Sequence, residues 1–80
     1  MPTHRLAAVL FADIIGYTAM MQADEAAGIA KASRLREVIT RLVPQHEGEL
    51  IEMRGDGALC VFGSSVEAVR CAQRIQREVR

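Results

Sequence analysis

The 80-residue chain has no excess charge of either sign: ten Lys and Arg offset ten Asp and Glu, a formal net charge of +0. That balance argues against a nucleic-acid partner, whose electrostatic footprint is a basic excess. No uninterrupted apolar run approaches the ~20 residues that cross a bilayer, so no membrane contact is expected of this segment. Met1-Pro2-Thr3-His4-Arg5 leads into a short apolar run ending at Asp13 with no small-residue cleavage site, which argues against a signal peptide. Cysteine is scarce. Cys60 and Cys71 sit inside apolar segments, not at a ligand spacing, and read as reduced core residues of a cytoplasmic protein. His4 and His46 likewise have no second ligand at metal-binding spacing. There is no internal repeat and no low-complexity linker. What remains is 50% hydrophobic and 25% charged, a composition that folds. A chain this short makes one domain at most, and Arg80 ends inside a helical pattern with no Gly or Pro behind it. Residues 1–80 are therefore expected to be a fragment of a longer domain.

Arg5 to Ala12 is apolar on both faces and too short for most helices, which suits a strand central to a sheet or covered on both sides. Tyr17-Thr18-Ala19-Met20-Met21 fits a helical turn or two. Asp24 can cap the next segment, in which Ile29, Ala32, Leu35, Val38 or Ile39, and Leu42 mark one buried helical face that Pro44 ends. Gly48 opens Glu49–Arg54, and Ala58–Phe62 follows across Gly55-Asp56-Gly57, a turn that joins antiparallel strands. Ser64 and Glu67 form a capping-box pattern for a last helix with Val66, Val69, Ala72, Ile75 and Val79 as its apolar stripe. The order is β-α-α-β-β-α, an α+β fold with helices packed on one face of a mainly antiparallel sheet. A right-handed crossover through the long helix is expected to bring the strand after Gly48 beside the first strand.

Asp13 and Asp56 carry the chemistry. An ionised carboxylate at the end of an apolar strand is costly unless paired or metal-bound, although capping of the following helix is an alternative reading for Asp13. Turn chemistry alone accounts for Asp56. Together, two carboxylates at adjacent strand ends are able to hold Mg²⁺, which binds through one or two protein carboxylates plus substrate phosphates. Gly16-Tyr17-Thr18 at a helix start offers backbone N–H groups to a polyphosphate, with glycine permitting close approach. The methionines read as core fillers, and the arginines of the last helix as a solvated face.

Leu10-Phe11-Ala12-Asp13-Ile14-Ile15-Gly16-Tyr17-Thr18, followed by Arg54-Gly55-Asp56-Gly57-Ala58-Leu59, resembles the class III adenylate/guanylate cyclase catalytic domain of bacterial type, with its ferredoxin-like, palm-type sandwich. The resemblance runs from Arg5 to the final helix. It implies a catalytic and metal-binding role for Asp13 and Asp56, with the Ile14 carbonyl as a further ligand and two Mg²⁺ or Mn²⁺ ions as cofactors. It implies that Gly16, Tyr17 and Thr18 grip the triphosphate. The implied reaction closes ATP or GTP to the 3′,5′-cyclic nucleotide with release of pyrophosphate, in cyclic-nucleotide signalling. Glu52, three residues before Gly55, resembles the base-specifying position, where Glu accepts from guanine N1–H and its 2-amino group and Lys is typical of adenylate cyclases. The resemblance further implies a homodimer whose transition-state Asn and Arg lie beyond Arg80, so this piece alone is expected to be inactive. The rival readings are a non-catalytic cyclase-homology module that binds nucleotide or dimerises, and another palm-type nucleotidyl transferase. The Gly-Gly-Asp-Glu-Phe signature of diguanylate cyclases is missing from the turn.

Overall fold

The computed structural model describes residues 8–13, 16–54 and 57–79. Strand β1 (Ala8–Asp13) leads through helices α1 (Tyr17–Ala23) and α2 (Glu25–Gln45) to strands β2 (Gly48–Met53) and β3 (Gly57–Phe62) and helix α3 (Ser65–Glu78). The α+β class and the element order are those read from the sequence.

The sheet order is β1-β3-β2, with β3 antiparallel to both neighbours. This corrects two expectations. The strand after Gly48 is not beside β1, and β1 is an edge strand of the described sheet while β3 is central. The hairpin explains both. A short turn commits one side of β3 to β2, so β1 takes the side that remains. In an antiparallel pair, directly opposed residues share a face, so the register shows what lies inward. Gly48, Leu50 and Met53 oppose Phe62, Cys60 and Ala58, and Ala8 and Leu10 oppose Phe62 and Cys60. The helices cover this face. Leu35, Val38, Ile39, Leu42 and Val43 of α2 and Ala68, Cys71 and Ile75 of α3 close on Ala58, Cys60 and Phe62. Fully burying a side chain such as Ile39, Leu42 or Phe62 contributes about 1.5–3 kcal/mol each.

Helix α2 starts where Asp24 Oδ1 accepts from the Ala27 N–H at 3.1 Å, the expected cap. Ile29, expected inward, is instead half exposed, and Gly28 is buried in its place. Helix α1 packs so close there that a Cβ on Gly28 would lie 3.1 Å from Met21 Cγ. Pro44 does not stop the helix, which runs on to Gln45. Its missing N–H and the crowding of its ring against the carbonyl four residues back are met only in the last turn, and the helix ends one residue later. The His46 N–H then donates to the Val43 carbonyl at 3.1 Å and the Glu47 N–H to the Pro44 carbonyl at 3.3 Å. Glu47 takes the left-handed conformation, φ 60°, where glycine is the usual choice. The glycine sits one residue later because space demands it there: a Cβ on Gly48 would run into the Phe62 ring and lie 2.8 Å from Val43 Cγ1.

Helix α3 is rotated from the expected stripe. Ala68, Cys71 and Ile75 face the core, and Val79 packs against it, while Val66 and Val69 are exposed. Small Ala68 and Cys71 let the helix approach β3, and the two valines are left outside. Ser64 Oγ accepts from the Glu67 N–H at 3.3 Å, but the Glu67 carboxylate does not return the bond to complete the box. It pairs with Arg70 at 3.1 Å and, through Oε1, with Nδ1 of buried His46 at 2.9 Å. His46 Nε2 lies 3.3 Å from Arg74 Nη1. A guanidinium only donates, so Nε2 accepts and the neutral ring carries its proton on Nδ1, donating to Glu67. His46 thus ties the end of α2 to α3. Arg41 adds a second tie, reaching Glu78 at 2.6 Å.

Two outcomes follow. Gly48→Ala should lower stability by about 1–3 kcal/mol through overpacking, read as a drop in urea midpoint with an unchanged slope. The hydrogen bond from His46, followed by the nearby charge of Arg70, holds the Glu67 carboxyl below its ordinary range. A depressed native pKa adds stability that is complete above the unfolded value, about 4.3, and is lost as pH falls through the native value. Glu67→Gln should therefore be less stable at neutral pH and lose less stability on acidification below about pH 4.3. A wild type and variant with parallel acid limbs would contradict this.

Candidate functional site

Strand β1 ends at Asp13, which pairs in register with Gly57, the first residue of β3. Gly57 follows Asp56 directly in the chain. The register therefore sets Asp13 across from the residue covalently joined to Asp56. Ile14 and Asp56 themselves lie outside the described residues, and Asp13 enters through its place in the strand. The Arg54 N–H donates to the Gly57 carbonyl at 2.8 Å, joining the facing ends of β2 and β3.

Gly16 is the N-cap of α1, with φ 74°. A Cβ there would meet nothing within 4 Å, so glycine is required by the left-handed backbone and not by crowding. The N-cap position of α1 is Gly16, three residues after Asp13. Thr18 is exposed and Tyr17 half-buried.

On β2 a bulge intervenes. Leu50 pairs with Cys60, but the next paired residue is Glu52, opposite Leu59, leaving Ile51 as the extra residue. Bulges re-aim side chains. In an unbroken strand Glu52 would share the face of Leu50 and point into the core. Instead it lies on the outer face and Met53 turns inward, packing against the core. Glu52 is exposed and pairs with Arg54, whose Nε and Nη2 lie 3.0 and 2.9 Å from Oε1. Neither the bulge nor the Arg54 partnership was anticipated. The signal for the bulge was present: Leu50 and Met53, three residues apart, cannot share one face of a regular strand.

Strand β3 relates the two ends of the site. Asp13 sits opposite Gly57 on one side and Glu52 opposite Leu59 on the other. With two strand spacings across and two residues along, the Asp13 and Glu52 backbones stand roughly 12 Å apart. An open groove lined by Ser65, Val66, Val69 and Arg70 lies at the other end of β3 and has no part in this arrangement. Among the described residues no group of three or more His, Cys, Asp or Glu side chains forms an all-protein metal cage.

The chain matches a family model, "Adenylate and Guanylate cyclase catalytic domain", over residues 1–79. The chain belongs to this family. A protein of Rhizobium meliloti named "Putative adenylate cyclase 3" is 43% identical over 74 residues, 91% of this chain and 13% of that protein. Uncharacterized proteins of Mycobacterium tuberculosis and Mycobacterium bovis are each 36% identical over 61 residues, 75% of this chain and 11% of theirs. The chain thus spans about an eighth or less of the length of these relatives. The three-stranded antiparallel sheet and three helices, in the order β-α-α-β-β-α, are those of the N-terminal part of the cyclase palm fold. No helix among the described residues is long and apolar enough to cross a membrane.

Proposed function

We propose that this chain is the N-terminal part of a nucleotide cyclase catalytic domain that converts ATP, or GTP, to its 3′,5′-cyclic nucleotide and pyrophosphate for intracellular signalling in the cytoplasm. The observation that carries the reading is the pairing of Asp13 with Gly57, next in sequence to Asp56, in a chain of the cyclase family.

In this reading Asp13 and Asp56 are the catalytic carboxylates and, with the Ile14 carbonyl, hold two Mg²⁺ or Mn²⁺ ions. The donor set fits: hard oxygen ligands from two carboxylates suffice for such cations because substrate phosphates complete the shell. When bound, the ions supply activation of an attacking oxygen and neutralisation of phosphate charge. The N–H groups of Gly16, Tyr17 and Thr18 bind the β- and γ-phosphates. The left-handed turn at Gly16, open around its α-carbon, leaves room for a phosphate to approach. Glu52 reads the base from the outer face of the sheet. The site is completed across a homodimer by an Asn and an Arg from a later segment, and the exposed edge of β1 is a seat for a strand from that segment.

Asp13→Ala and Asp56→Ala, each made in the intact protein, should abolish cyclic-nucleotide formation with ATP and GTP in Mn²⁺ while leaving the circular dichroism spectrum in place. Turnover retained in either variant would overturn the assignment. The isolated 80-residue chain should produce little or no cyclic nucleotide.

A further inference from the structure

We infer that Arg54 is a specificity-determining residue that turns Glu52 from a guanine acceptor into one half of an adenine-reading pair. The inference rests on the cyclase reading above and names the substrate class of that site.

The argument starts from lone pairs. A carboxylate reads guanine by offering both oxygens, one to N1–H and one to the 2-amino group. Here Arg54 Nε and Nη2 converge on the single oxygen Oε1, at 3.0 and 2.9 Å. Nε–H donates to Oε1, and Nη2 stands against the same oxygen as its ion-pair partner. Among the described residues Oε2 takes no hydrogen bond, so guanine, which needs both oxygens, would have to share Oε1 with the guanidinium. The guanidinium keeps further N–H donors, because it carries five. The pair therefore presents an acceptor next to a donor. That is the complement of adenine, whose 6-amino group donates and whose N1 accepts. Guanine keeps only part of its match.

Placement supports the same role. The Ile51 bulge turns Glu52 to the outer face, and Arg54 is fixed two residues on by its N–H bond to Gly57. The side chains are 48% and 74% exposed, open to a ligand. An ion pair so exposed adds little to folding, so its removal should leave the fold intact and read directly on nucleotide choice. Glu52 alone, by its likeness to the guanylate-type position, points to GTP. Arg54 reverses that preference.

The test is the ratio of kcat/KM for ATP to that for GTP, measured with Mn²⁺ in the intact protein. The wild type should prefer ATP. Arg54→Ala and, as a second variant that keeps the side-chain length nearer to native, Arg54→Gln should each shift the ratio toward GTP by about fivefold or more, the scale of one bidentate base contact. Circular dichroism verifies folding of both variants. A merely structural Arg54 would lower both substrates alike, and an unmoved ratio would overturn the inference. So would a wild type that already prefers GTP, although the cyclase reading would stand. A wild type that forms neither cyclic nucleotide would overturn the cyclase reading, and this inference with it.

Discussion

The hydrogen bonding of β3 along both of its edges is the constraint on which the rest of this structure depends. One edge is committed to β2 by a tight hairpin and the other to β1, so a single strand fixes the relative position of every other strand residue. Slipping either pairing by one residue would turn that strand's side chains over to the opposite face. Inward, the same strand delivers Ala58, Cys60 and Phe62 to the helices. Packing of the core and alignment of the strand ends are thus linked: the register that sets Ala8 opposite Phe62 also sets Asp13 opposite Gly57.

Above the sheet, polar ties hold the helices in line without entering the core. His46 is the one polar residue buried among those described, and both of its ring nitrogens are engaged, by Glu67 and Arg74. Removing either partner would leave a buried ring nitrogen unsatisfied, which costs more than the bond itself contributes. The two cysteines are free and buried in the core between β3 and α3. Burial first, and then the neighbouring Cys60, push the Cys71 thiol up to about 11. A thiol so rarely ionised is a poor nucleophile and metal ligand.

Local signals in the sequence were legible where they acted locally. Asp24 and Ser64 cap the helices they precede, and β2 and β3 pair antiparallel on either side of Gly55-Asp56, because caps and hairpins need only neighbouring residues. Sheet order was not legible. Whether β2 or β3 lies against β1 depends on which edge the hairpin leaves open, a matter of tertiary pairing. Helix phase failed for the same reason. Val66 and Val69 are more hydrophobic than Ala68 and Cys71, yet α3 buries the smaller pair because they allow a closer approach to β3. Of the candidate site, Asp13, Asp56 and Glu52 were singled out in the sequence by residue type and position. The Arg54–Glu52 pair on the outer face was not, since the bulge at Ile51 sets which face Glu52 takes.

A paired-carboxylate cation site at the end of β1 is the central claim, and a readout independent of turnover tests it most directly. Mn²⁺ added in small amounts to the ¹⁵N-labelled protein broadens the backbone amide signals nearest to where it binds. Broadening that begins at Asp13, Asp56 and Gly57, and disappears when either aspartate is replaced by alanine, is the expected result. Broadening that begins instead around Glu47 and Glu49, at the far end of the sheet, or that survives both replacements, would contradict it.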